Sequence, residues 1–350
     1  MTNEADIRVS FVRQAEACET LGSAFTGRLC RIAAHRMGQD SAVERVILEW
    51  QGNPTGTGDA LALRLAGALH ALVLSESDDG LAAVYPPETS SDEALWQACR
   101  NAFVLHESFI LDRLKSAPQT NEVRRSSALL PAFLTIADRC DKPLVLSEVG
   151  ASAGLNLRWD RYAYRLGDFA WGNDSSVVLA PDWEGKPPPR AQVSVAGRAG
   201  CDLNPLDPAS PDDCLRLTSY IWADQQDRLD RTRAALAIAR QDGLKVERAD
   251  AVDWLESRLR RDHAGQCHVV YHTIAWQYLP AELKQKGEAL IAAAGARATE
   301  RAPLARLQVE ADGEPDGASI SLQLWPTGEK HEIGRADFHG RWIKWKGWPT

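Results

Sequence analysis

The stretch LVLSEVGASAGLNL, residues 144–157, limits the fold more than any other part of the chain. LVLSEV is a short apolar run, and it breaks into GASAG, where glycine and small side chains permit a tight turn. An apolar run of that length bounded by turn residues reads as a strand buried on both faces, followed by a turn into a helix. Two chemistries use such a strand–turn–helix. As G-x-S-x-G, it is the nucleophile elbow of a serine hydrolase, with Ser152 as the attacking group. As E-x-G-x-S-x-G, counted from Glu148, it is a loop that wraps a nucleotide-like cofactor.

The sequence before this strand is helical. In ACETLGSAFTGRLCRIAAHRM, Cys18, Leu21, Phe25, Leu29 and Ile32 recur at spacings of three and four, which places them on one helix face. Leu61, Leu65, Ala68 and Leu72 repeat the pattern, as do Trp96, Cys99, Phe103, Ile110 and Leu114. QGNPTGTGD and SDDG between them have loop chemistry. A further helix follows TNEVRRS, with Pro131 starting or kinking part of it. These features predict a helical cap over residues 1–140.

The texture changes at Pro143, and a second domain is expected over 141–350. RWDRYAYRLGD and SSVVLAPDW suggest a hairpin insertion at about 160–190, and KPPPR is a connector. QVSVAGRAGCD reads as a strand ending at Asp202, followed by one long helix from about Asp212 to Arg240. LKVERAD is a strand ending at Asp250, and AVDWLESRLRR is a helix. CHVVYHTIAW is a strand running out at His272. AELKQKGEALIAAAGARA is a helix and LARLQVEAD a strand. ASISLQLW and FHGRWIKW, joined through PTGEKHEIGRAD, are expected as two final antiparallel strands. Alternation of this kind gives a mostly parallel sheet covered on both faces, with ligands beyond the carboxyl ends of its strands.

That context separates the two readings of GASAG. A hydrolase elbow follows several strands and a loop that supplies an oxyanion hole, and here everything upstream is helical. A cofactor loop should follow the first strand of the sheet, as GASAG does, and acids should stand at the ends of the next strands. Asp202 and Asp250 are so placed.

Composition narrows the partners. The length of 350 residues is enough for about two domains, and no run approaches the roughly 18 apolar residues that span a bilayer. MTNEADIRVS lacks the apolar stretch of a signal peptide, and a cytoplasmic location is expected. The net charge of −8 argues against nucleic acid held by general electrostatics. The seven cysteines are scattered and never form C-x-x-C, so no zinc site is expected.

The segment from Leu144 to Trp345 resembles a class I S-adenosylmethionine-dependent methyltransferase. That family has a Rossmann-like, seven-stranded, mostly parallel sheet closed by an antiparallel hairpin, and a first-strand motif E/D-x-G-x-G-x-G. Glu148, Gly150 and Gly154 match the motif, and Ser152 replaces its middle glycine. The resemblance implies S-adenosylmethionine as cofactor and a small acceptor substrate. It puts the ribose-binding acid on Asp202, with Asp224 as a rival because the insertion intervenes, and the adenine-binding acid on Asp250. Over nearly the whole chain, QTNEVRRSSALLPAF, EVGASAGLNLRWDRYAY, GCDLNPLDP and IWADQQDRL also resemble a bacterial family without assigned activity, domain-of-unknown-function family 2332.

Methyl transfer is a direct displacement, which asks the protein to align the reactants, exclude water and in some cases take a proton. His272, beyond the fourth main strand, is the candidate base, with Thr273, Trp276 and Tyr278 along the same wall; Tyr278 is the second catalytic candidate. His268 and His272 share a strand face but lie about 13 Å apart, too far for one ion. Asn121, with Glu122 and Arg125, is placed over the cofactor or an acidic substrate. Tyr162, Tyr164 and Trp171 are candidates for a lid or a substrate wall, with core packing as the alternative. The alternative function is a non-catalytic member of the fold that binds a nucleotide-like ligand or a protein partner.

Overall fold

The computed structural model describes residues 3–349. Helices come first: α1 Glu4–Thr20, α2 Ala24–Arg36, α3 Ala42–Leu48, α4 Leu61–Leu74, α5 Asp79–Ala82, α6 Asp92–Leu105, α7 Glu107–Leu114 and α8 Ser126–Cys140. The first strand, β1, is Leu144–Val149. The insertion holds β2 Ala163–Leu166, β3 Phe169–Trp171, β4 Val178–Leu179 and β5 Asp182–Gly185. There follow β6 Val195–Asp202, α9 Pro211–Ser219, α10 Gln226–Arg240, β7 Glu247–Arg248, α11 Ala251–Leu259, β8 Cys267–Thr273 and α12 Ala281–Gly295. The chain closes with β9 Leu304–Glu310, β10 Ala318–Trp325, β11 Lys330–Ala336 and β12 Trp342–Trp345.

The chain divides into two compact units. The first comprises residues up to Thr120 with Ser210–Asp230, and the second comprises Asn121–Ala209 with the residues from Arg231 onward. Helix α8, expected in the cap, is therefore grouped with the sheet.

The first unit is helical around a core that includes Phe11, Leu29, Ile47, Leu65, Leu69, Trp96 and Phe103. Two stretches expected as single helices are each broken. Gly22, at φ +91°, ends the first turn-out after α1, and the Ser23 side chain caps the start of α2 by accepting from the Thr26 N–H. The long pattern from Trp96 to Leu114 is interrupted at His106, whose Nε2 lies 3.2 Å from Asp78 Oδ2. The expected helix from Asp212 to Arg240 is likewise two, α9 and α10. Asp224, in the break, is spent on the start of α2: its carboxylate accepts from Ser23 Oγ and from the Phe25 N–H.

The second unit is a mixed α/β structure around a nine-stranded sheet in the order β5-β12-β11-β10-β9-β8-β1-β6-β7. The expected seven strands become nine for two reasons. β5, from the insertion, pairs in parallel with β12 and extends the edge. KHEIGRA, expected as part of a connector, is strand β11, so β10, β11 and β12 form a meander instead of one terminal hairpin. A block of five strands, β7-β6-β1-β8-β9, is wholly parallel. One face of that block packs on α8, where Phe133 stacks on Trp159 and meets Tyr271 edge-on. The other face buries Val149, Val270, Trp254, Leu255 and Ile291 against α11 and α12. The rest of the insertion makes a separate three-stranded sheet, β3-β2-β4. Its tyrosines are core and form no lid: Tyr162 and Tyr164 are buried and donate to the carbonyls of Leu155 and Trp159.

Candidate functional site

Strand β1 has β6 and then β7 on one side, and β8 and then β9 on the other. The chain reverses its direction of travel across the sheet at β1, so the carboxyl end of β1 is the topological switch point, where open α/β sheets bind ligands. GASAG occupies that end. Gly150, Ser152 and Gly154 all have positive φ, at +70°, +51° and +70°. For Gly150 the lack of a side chain is obligatory twice over. Its backbone is left-handed, and a Cβ there would stand 2.5 Å from the Cβ of Ala275, in the loop after β8. The loop after β1 and the loop after β8 are thus in direct contact at the switch point.

The neighbouring strand fixes the loop. Gly150 and Ala151 donate their N–H groups to the Cys201 carbonyl at 2.9 and 3.0 Å. The Ser152 N–H donates to Asp202 Oδ2 at 2.9 Å, and the Asn204 N–H donates to Asp202 Oδ1 at 2.9 Å. Asp202 remains partly exposed. Each of its oxygens keeps acceptor capacity beyond the one backbone bond. The Ser152 hydroxyl oxygen is buried with no hydrogen-bond partner. Asn121 reaches the same region, its side-chain oxygen accepting the Leu155 N–H at 2.9 Å.

The other predicted residues divide. Glu148 does not face the loop's outer surface. It is buried on the α8 face, where Tyr271 donates to it at 3.2 Å, and burial pushes its carboxyl up to about 8. Asp250 is partly exposed and caps α11, accepting from the Val252 and Asp253 N–H groups. Asp224 lies in the helical unit, committed to α2. Tyr278 is 71% exposed.

His272 is fully buried on the face opposite Glu148. Its ring stacks on Trp276 at 4.8 Å, and Nδ1 lies 2.7 Å from Glu310 Oε1. That same oxygen accepts the N–H groups of Ala275 and Trp276, each at 3.0 Å. Burial lowers the His272 pKa against the pull of Glu310. Burial alone would raise the Glu310 carboxyl, but His272 and the two N–H groups hold it below the usual range. A neutral ring that donates from Nδ1 to Glu310 has Nε2 as its acceptor, and that atom is buried without a partner. Between the two, Ile274 is held at φ +49°, a strained position for a β-branched residue. Glu310 is the brace of this loop.

Two residues of the site carried no sequence signal beyond their position. Glu310 ends β9, as an acid at a strand end. Arg158, four residues past Gly154, is fully buried. Its guanidinium makes a two-pronged contact with Asp242 and also donates to the carbonyls of Gly154, Ala239 and Leu244. It fixes the far end of the loop through Gly154.

A groove of about 580 Å³ lies elsewhere in the second unit, at the amino ends of β8 and β9, lined by Arg260, Arg261, His263, His268 and Arg297 among others. Arg260 and Arg297 follow the last turns of α11 and α12, and Arg297 donates to the Ala293 carbonyl, which is the ordinary use of arginine at a helix C-terminus. Among the described residues no helix is long and apolar enough to cross a membrane, and no group of three or more His, Cys, Asp or Glu side chains could hold a metal ion.

Comparison with curated proteins and with solved structures gives no significant match. One family model matches, over residues 8–345, and its description is "uncharacterized protein conserved in bacteria". The chain belongs to that bacterial family, DUF2332.

Proposed function

We propose that the protein binds S-adenosylmethionine at the carboxyl end of β1 and transfers its methyl group to a small acceptor. The observation that carries this reading is the left-handed loop Gly150–Gly154 at the switch point, strapped to Asp202 through the Ser152 N–H. The donor set suits a nucleoside. The orphaned Ser152 hydroxyl is a ready donor or acceptor at the loop, and Asp202 and Asp250 are partly exposed carboxylates at the ends of the next two strands. In this reading Asp202 accepts from ribose hydroxyls, Asp250 from an adenine amine, and the small loop residues let the backbone approach. The cofactor supplies an electrophilic methyl carbon on a sulfonium. In this reading the five-strand parallel block β7-β6-β1-β8-β9 plays the part of the parallel half of a methyltransferase-type sheet.

His272 is enclosed between Trp276 and Glu310. Its place is to hold the loop after β8, and an acceptor that needs no enzymic base suits this site best. The same observation, with Tyr278 turned to solvent, favours a second reading: a ligand-binding protein without catalysis. Calorimetric titration with S-adenosylmethionine and S-adenosylhomocysteine tests the shared part. Micromolar binding is expected, and no binding by folded protein would overturn both the cofactor and the reaction. Turnover to S-adenosylhomocysteine with cell extract as acceptor source separates the two readings.

A further inference from the structure

We propose that Cys140 and Cys267 form a reversible intramolecular disulfide on exposure to a peroxide, with Cys140 as the thiol oxidised first and Cys267 as the resolving one. Their sulfurs lie 3.5 Å apart, although the residues are 127 positions apart in sequence. A bonded pair needs about 2.05 Å, so the two sulfurs must close by roughly 1.5 Å. Those elements are adjacent. Cys140 ends α8, and Cys267 opens β8, where its N–H donates to the Pro143 carbonyl and it pairs with Leu144 of β1. The pair therefore sits at the amino end of β1, away from the loop at its carboxyl end, and it is independent of the reading given above.

The seven cysteines are not equivalent. Cys18, Cys30, Cys99, Cys201 and Cys267 are buried, whereas Cys140 and Cys214 are partly exposed. Cys267 donates its S–H to Cys140, and this contact lowers the Cys140 thiol below its usual range, against the opposing effect of burial; Lys142 and Arg139 add to it. Burial instead pushes the Cys99 and Cys201 thiols up to about 12, where they are unreactive at neutral pH. Thiolate character and access together select the site of oxidation, and a neighbouring thiol decides whether the product closes to a disulfide. Cys140 has all three properties.

The steps balance with hydrogen peroxide as oxidant. The Cys140 thiolate attacks one peroxide oxygen, an S–O bond forms, the O–O bond breaks, and the leaving hydroxide takes a proton to become water. Cys267, whose thiol the contact with Cys140 and then burial hold well above its usual range, attacks the Cys140 sulfur only as its proton passes to the sulfenic oxygen. The S–S bond forms, the S–O bond breaks, and the departing hydroxide takes the Cys267 proton as a second water. Two thiols lose two electrons in all, and one peroxide is reduced to two waters.

The test uses the full-length protein, reduced and desalted, then treated with stoichiometric hydrogen peroxide. Thiol titration in denaturant should find two fewer than the seven present before treatment. Intact mass should fall by about 2 Da, the two hydrogens lost. A non-reducing peptide map should show the Cys140 and Cys267 peptides linked, and dithiothreitol should reverse all three results. Cys267→Ser should stop at a sulfenic acid on Cys140, trapped by dimedone, and Cys140→Ser should slow thiol loss by about 10-fold or more. The wild-type map needs no variant to fold. Seven free thiols after treatment, or a linkage that maps to another pair such as Cys18 and Cys30, would overturn the proposal.

Discussion

The N–H of Ser152, in left-handed backbone at φ +51°, donates to the carboxylate of Asp202 at 2.9 Å. An L-residue in that conformation costs about 1 kcal/mol or more, and strain of this size persists where the surroundings enforce it. The bond crosses from the end of β1 to the end of β6 and so ties the loop at the switch point to the strand end that presents the candidate ribose acid. Ser152→Gly separates structure from function. Relief of strain predicts equal or greater stability by urea unfolding, while loss of the orphaned hydroxyl predicts weaker binding of S-adenosylhomocysteine. Unchanged affinity would remove Ser152 from the site. Asp202→Ala is expected to cost about 1–2 kcal/mol of stability and at least roughly 10-fold in affinity.

Gly150→Ala introduces a Cβ both into left-handed backbone and against the Cβ of Ala275. Strain and overpacking together predict a loss of about 3 kcal/mol. Combining it with Ala275→Gly removes the collision and leaves the backbone cost, so the double variant should recover roughly half. A double-mutant cycle with no coupling would show that the two loops do not touch.

Arg158→Lys keeps the charge and loses the planar fork. Lysine has one ammonium for the contacts that the guanidinium makes to Asp242 and to the carbonyls of Gly154, Ala239 and Leu244. The expected cost is about 3 kcal/mol or more, read from the midpoint of chemical denaturation, because buried acceptors are left unpaired. A loss under about 1 kcal/mol would mean that the network is not holding the loop.

Glu148 and His268 should give stability opposite dependences on pH. The Glu148 carboxyl, raised by burial from 4.5 to about 8, stays protonated in the folded protein while the unfolded chain ionises. Its contribution is therefore complete below pH 4.5 and falls as pH rises towards 8, by at most about 1.4 kcal/mol per unit. Burial, with His263 and Arg258 adding to it, lowers His268 from 6.5 to about 3, so its contribution is present above pH 6.5 and lost as pH falls towards 3. Unfolding measured from pH 5 to 9 should show a decline that runs up to about pH 8 and levels above it, and that flattens in Glu148→Gln. An identical profile in that variant would mean that the carboxyl is ionised when folded.

Much of the second unit was legible because its signals are local. Six consecutive residues of β1 are buried, as an apolar run bounded by glycine implies, and GASAG turns at the end of the first strand of the sheet. The acids at strand ends could be found in the same way, since an apolar run that stops at an aspartate marks its own boundary. The short β7, only Glu247–Arg248, shows how little of a strand such a reading needs.

Breaks within helical patterns were less legible. Periodicity reports which face is apolar, and it carries across a gap when the same spacing resumes on the next helix. Gly22 and Ser23 were nevertheless a readable stop and start, with glycine at the end of one helix and a capping serine at the next. The strand β11 had no comparable signal, because KHEIGRA is mostly polar and exposed at its beginning and gains its place only by pairing with β10 and β12.

The sequence by itself determined the alternation of strands and helices, the place of the glycine loop and the identity of the acids that follow it. These depend on residue type and on spacing over a few positions. Tertiary structure alone decided what each polar group faces. Glu148 and His272 belong to neighbouring strands with matching signals, yet strand alternation sends one under α8 beside Tyr271 and the other under α12 beside Glu310. Which carboxylate a buried histidine meets, and whether a thiol finds a second thiol 127 residues away, are fixed by which strands lie side by side. That order follows from packing the whole sheet, and no local stretch of sequence encodes it.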